Sequence, residues 1–111
     1  MPLVSPARGG RVGAIPPAMT LFLLSLLALS VAAETGIPHQ LAVRRTGGTD
    51  ARSFQANELG VPVIVLGVPA RYIHTHNAVI DLGDFHACVD LAVALARRLD
   101  APQVAALTKY L

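Results

Sequence analysis

The run Met19–Ala33, MTLFLLSLLALSVAA, is apolar on every face. A helix of that kind has to be covered on all sides or lie in lipid, and this narrows what the chain can fold into. Three readings fit. Arg8 and Arg11 lie upstream, and Val31 and Ala33 occupy the −3 and −1 positions before Glu34, which is the layout of a secretory signal. As a membrane span the run is short, since crossing a bilayer takes roughly 20 residues. The third reading is a helix buried inside a larger fold.

The run also divides the chain. Residues 1–33 contain no acidic side chain, and Arg8 and Arg11 are their only charges. Pro2, Pro6, Pro16 and Pro17, with Gly9, Gly10 and Gly13, make residues 1–17 a poor candidate for regular structure. Two parts result: a Pro/Gly-rich leader with an apolar helix over 1–33, and a second part over 34–111. At 111 residues there is room for one small domain. Hydrophobic residues make up 53% and charged residues 14%, which argues against disorder throughout and for a surface that meets a membrane, a partner or further parts of a larger domain. The net charge is +2, with the arginines scattered and no basic run, so nucleic acid is not an expected partner. Cys88 is the only cysteine, which excludes an internal disulfide and a multi-cysteine zinc cluster.

From Glu34 onward the pattern is α/β. Gln40–Arg44 (QLAVR) is a short strand candidate, and Thr46-Gly47-Gly48 a turn. Asp50–Leu59 predicts a short helix capped by Thr49 or Asp50 and ended by Gly60. Val61–Leu66 (VPVIVL) is continuously apolar, as a strand covered on both faces is, with Pro62 near its start. Gly67–Asn77 is loop-rich. Asp84–Leu99 is the clearest helix, with Phe85, Cys88, Val89, Ala92, Leu95, Ala96 and Leu99 at helical spacing. Asp81 or Asp84 starts it, and Arg97 and Arg98 suit the negative end of its dipole. Pro102 follows, and Gln103–Leu111 adds one more helical piece. Strand, helix, strand, loop, helix suits the edge of an α/β sheet; two strands alone rarely make a stable one.

The densest polar cluster is Arg71-Tyr72-Ile73-His74-Thr75-His76-Asn77, which follows the apolar strand candidate and the turn Gly67-Val68-Pro69. Loops leaving strand ends are where α/β folds place their sites. If residues 72–76 are extended, His74 and His76 point to one side, since strands have a period of two. Neutral imidazole is a common ligand for zinc and similar ions. A metal site needs three or four ligands, and Asp50, Asp81, Asp84, His39 and His86 are the remaining candidates, none at a diagnostic spacing from His74. On these residues alone, two surface or hydrogen-bonded histidines are the better reading, ahead of metal binding. Cys88 reads as a buried, inert thiol, and His86 with Asp90 as a helix-surface pair.

The ordered set GIPHQLAV (Gly36–Val43), GGTDARSFQ (Gly47–Gln55) and GVPVIVLGVPARYIHTHNAVIDLGDF (Gly60–Phe85), closed by an amphipathic helix, resembles the C-terminal portion of the glutamyl aminopeptidase family. These are the tetrahedral, or deblocking, aminopeptidases, some of which carry the label endoglucanase or cellulase. A glycosidase reading fails here, because it requires a placed pair of carboxylates. The resemblance implies the C-terminal edge of a metallopeptidase α/β sheet, with about two strands and two to three helices, incomplete in itself. It implies a two-metal site of zinc or cobalt, in which a metal-activated water attacks the first peptide bond of a peptide with a free N-terminus. It implies dimers and dodecamers. His74, the histidine of RYIH, is the implied metal ligand. His76, Thr49, Asp50, Arg71 and Tyr72 are implied neighbours or loop residues, with helix capping the simpler role for Asp50.

The family's other ligands and its general base lie upstream of the matching region. Residues 1–33 have no His, Asp or Glu to replace them, so no catalytic residue is expected in this chain. The family's helix before the GIP motif is amphipathic, whereas Met19–Ala33 is not. The expectation is a C-terminal aminopeptidase fragment, inactive alone and cytoplasmic. The alternatives are a non-catalytic partner of a full-length aminopeptidase subunit, and a small domain exported or held at a membrane through Met19–Ala33.

Overall fold

The computed structural model describes residues 17–43, 47–56 and 60–108. Of the readings above, the Pro/Gly-rich segment 1–16, Arg44, Thr46, residues 57–59 and Lys109–Leu111 lie outside them, and the first short helix closes at Ala56, ahead of the predicted stop at Gly60. The chain order is α1 (Pro17–Thr35), α2 (Ala51–Gln55), β1 (Ala70–Arg71), β2 (Val79–Ile80), α3 (Leu82–Arg98) and α4 (Ala101–Thr108).

The apolar run is a helix. It stops in a Schellman turn: Gly36 has φ +68°, its N–H donates to Ala33 O at 3.3 Å, and Ile37 N–H donates to Ala32 O at 3.0 Å. Glycine takes that left-handed conformation without a Cβ clash, which is why the helix ends here. Thr35 adds a hydroxyl bond to Val31 O at 2.6 Å.

Helix α3 starts where a capping carboxylate meets two orphan amides. Asp81 has extended backbone angles, and its Oδ1 accepts from Gly83 N–H at 2.6 Å and Asp84 N–H at 3.2 Å. A Cβ on Gly83 would lie 2.8 Å from that oxygen, so glycine makes room for the cap. Asp84 in the first turn and Arg97 and Arg98 in the last match the helix dipole. Asp100 caps α4 in the same way, accepting from Gln103 N–H at 2.9 Å, and Pro102 sits in the first turn, where a missing N–H costs little.

The core lies where α1 packs against α3 and α4. Leu24, Ala28, Val31, Ala32, Leu95 and Leu107 are the buried hydrophobics among the described residues, four of them on α1. Leu91, Ala94, Leu99 and Ile64 pack around Ala28, Val31 and Leu95. The buried face of α3 is therefore the Leu91–Leu95–Leu99 side. Phe85, Val89, Ala92 and Ala96, predicted to share the buried face, are exposed, and Cys88 is only half-buried. The apolar belt of α3 is wider than one neighbouring helix can cover.

The sheet departs most from expectation. Among the described residues it has two strands, β1 and β2, antiparallel, with Ala70 opposite Ile80 and Arg71 opposite Val79. The Gln40–Arg44 strand does not form over its described part, and Leu41 and Val43 are exposed. Val61–Leu66 pairs with no strand: Val61 and Val65 face solvent, while Ile64 reaches the helical core. A continuous apolar strand forms only between pairing neighbours and beneath covering layers, and the described residues supply neither. The architecture is mixed helix with a small antiparallel ladder, as an α/β segment can be.

Candidate functional site

The RYIHTHN cluster is the loop joining β1 to β2. Arg71 belongs to β1, and Tyr72, His74 and His76 lie between the strands. Residues 71–80 are all exposed. The segment is a turn rather than a strand. Tyr72 has φ +56° and His74 φ +65°, and they are the only non-glycine residues with positive φ among those described. A left-handed conformation costs an L-residue about 1–2 kcal/mol. This corrects the expectation that His74 and His76 share a side through a period of two: that argument needs extended backbone, and His74 is left-handed. One side chain that sequence reasoning passed over works here. Thr75 Oγ1 donates to Tyr72 O at 2.6 Å and accepts from Asn77 N–H at 3.3 Å. Its only sequence signal was the known habit of Ser and Thr of bonding nearby backbone in turns.

The other predicted residues do not join the loop to form a donor set. Thr49 and Asp50 are exposed and precede α2. Asp50 makes no side-chain cap, contrary to expectation. The reason is local: its own backbone is already helical (φ −58°, ψ −22°), whereas a capping side chain requires extended angles. Its carbonyl instead accepts from Ser53 and Phe54, and Thr49 O accepts from Arg52. His39 is held by its neighbour, with Nδ1–H donating to Ile37 O at 2.8 Å. Asp81 is committed to capping α3. His86 stacks edge-on against Phe85, with ring centroids 5.7 Å apart.

Among the described residues, no three His, Cys, Asp or Glu side chains come together as metal ligands would. The described residues therefore do not by themselves form a two-metal centre. An open groove of about 530 Å³ lies elsewhere, between the turn after α1 and the first half of α3, with Asp84, His86 and Asp90 along it. His74 does not line it.

The segment carrying this loop has known relatives. The family model for the M42 glutamyl aminopeptidases matches residues 15–91, which takes in α1, α2, both strands and the first half of α3. This chain belongs to the M42 glutamyl aminopeptidase family. It is 31% identical over 81 residues to the putative aminopeptidase FrvX of Escherichia coli (strain K12), covering 73% of this chain and 23% of that protein. It is 36% identical over 64 residues to the glutamyl aminopeptidase of Lactococcus lactis subsp. cremoris (strain MG1363), covering 58% and 18%. It is 38% identical over 77 residues to the lysyl aminopeptidase of Pyrococcus furiosus, covering 68% and 22%. The chain thus spans about a fifth of the length of these M42 relatives. No solved structure matches it.

Proposed function

We propose that this chain is the histidine-bearing segment of an M42 metallo-aminopeptidase, serving removal of N-terminal residues from peptides through a zinc- or cobalt-dependent site, with His74 as its contributed ligand. On this reading the chain does not hydrolyse peptides by itself. The observation that carries it is the RYIH loop, inside the family match, presenting His74 in a left-handed turn while no second and third donor stand beside it among the described residues. Arg71 anchors the loop's first strand, and Tyr72 begins its turn. When bound, such metals activate water for attack on a peptide bond; the described residues supply no site that holds them.

Two experiments test this. Hydrolysis of an aminoacyl-p-nitroanilide with added zinc or cobalt should be absent for the 111-residue chain, and turnover abolished by His74→Ala would overturn the reading. In a chimera, the aligned segment of the Pyrococcus lysyl aminopeptidase is replaced by this chain's own. His74→Ala should then eliminate the chimera's activity, and full activity in that variant would remove His74 from the role.

The family match begins at residue 15, and α1 supplies four of the six buried hydrophobics among the described residues. Both support α1 as part of the fold; a cytoplasmic location is part of this proposal. No described helix is long and apolar enough to cross a membrane. A second reading, a non-catalytic partner of a full-length M42 subunit, is favoured by one feature. Leu82, Phe85, Val89 and Val93 form an exposed apolar stripe along α3. Co-purification with a longer M42 subunit, broken by Val89→Asp, would select this reading.

A further inference from the structure

Left-handed backbone at two side-chain-bearing residues of one short loop needs a cause, because such conformations persist only where the surroundings over-determine them. Packing is not that cause, since every residue from 71 to 80 is exposed. The β1–β2 ladder fixes the base of the loop but reaches only Arg71 on one side and Val79 on the other. What remains is the Thr75 hydroxyl. Its bond to Tyr72 O, at 2.6 Å, closes a ring of chain that contains Ile73 and His74. Its second bond, from Asn77 N–H at 3.3 Å, ties the same oxygen to the return limb. Among the described residues these are the side-chain hydrogen bonds within the loop. A hydroxyl can donate and accept at once, which neither a methyl nor a carboxylate can do.

We infer that Thr75 is a positioning residue: its hydroxyl holds Tyr72 and His74 left-handed and so sets the direction in which the His74 imidazole is presented. The functional weight of this rests on the reading of His74 given above, but the geometry does not.

The test is backbone NMR on the full chain as wild type, Thr75→Val and Thr75→Ser. Valine keeps the shape of threonine and removes the hydroxyl; serine keeps the hydroxyl. The wild type and Thr75→Ser should show left-handed Cα and Cβ shifts and HN–Hα couplings at Tyr72 and His74. Thr75→Val should lose them at both. Because the loop is exposed, the methyl signals of Leu95 and Val31 in the core should be unchanged in all three, which separates loop conformation from unfolding. Left-handed signatures surviving in Thr75→Val would overturn the proposal, as would their loss in Thr75→Ser or their absence from the wild type. No metal or activity enters these readouts. A null result for His74 in the chimera therefore leaves Thr75 standing, and a failure here leaves His74's role standing.

Discussion

Arg98 grips Glu34 with both ends of its guanidinium, Nη1 to Oε2 at 2.8 Å and Nη2 to Oε1 at 3.3 Å, across 64 residues of sequence. The pair joins the last turn of α1 to the last turn of α3. Ser30 adds a hydroxyl bond to Oε1 at 3.0 Å. The fork-to-carboxylate geometry favours the ionised acid. Hydrogen bonding from Arg98, then from Ser30, then the positive charge of Arg98, hold the Glu34 carboxyl below its ordinary value.

A pH dependence follows. A carboxyl with a folded pKa below its unfolded one contributes stability that is complete above the unfolded value and is lost as pH falls through the folded one. The thermal midpoint of Glu34→Gln should lie slightly below wild type at neutral pH and meet it in the acid range below the ordinary glutamate pKa. The gap should be small, since both side chains are about half exposed and water screens them. A gap that widens with acid would contradict the assignment.

The α1–α3 contact should dominate stability. Leu95 is 4% exposed and packs against Ala28 and Val31, whereas Val93, two residues earlier, is 45% exposed. Leu95→Ala should cost about 2–4 kcal/mol by urea unfolding. Val93→Ala should stay within about 0.5 kcal/mol. Equal costs would mean that α3 is rotated relative to this packing.

Two aspartates at helix starts should behave differently. Asp81→Ala removes a side chain that satisfies two amides and should cost about 1 kcal/mol. Asp50→Ala removes no cap and should stay within about 0.5 kcal/mol. Denaturant midpoints of the two single variants decide it.

Cleavage before Glu34, as a signal peptidase would make, would remove Leu24, Ala28, Val31 and Ala32 from the core. N-terminal sequencing of the protein purified from its own cells should therefore find Met19–Ala33 retained. A mature start at Glu34 would place the protein outside the cytoplasm and remove α1 from the fold.

Helices were legible in the sequence because their signals are local. Asp81, the spaced apolar residues of α3, Arg97 and Arg98 mark one helix without reference to anything distant. Strands were not, because pairing is decided elsewhere in the chain: Val61–Leu66 has the composition of a buried strand and meets no pairing strand among the described residues, while Ala70–Arg71 and Val79–Ile80 pair with no apolar run to announce them. Asp50 has the right type and place for a cap, yet its own backbone angles exclude the bond. At the site, the RYIH cluster was legible as a loop after an apolar stretch. The left-handed turns at Tyr72 and His74 were not, because neither residue type demands positive φ and the hydroxyl that accompanies it lies at Thr75.

The measurement closest to the central claim is metal content. The purified 111-residue chain, loaded with zinc or cobalt and passed through gel filtration, is analysed for bound ion beside His74→Ala. Among the described residues His74 belongs to no group of three donors, and fewer than three protein ligands do not make a closed site, so both proteins should emerge without stoichiometric metal. One or more equivalents retained by the wild type and lost in His74→Ala would mean that this chain assembles a centre from its own residues, and the account of His74 as a lone contributed ligand would be wrong.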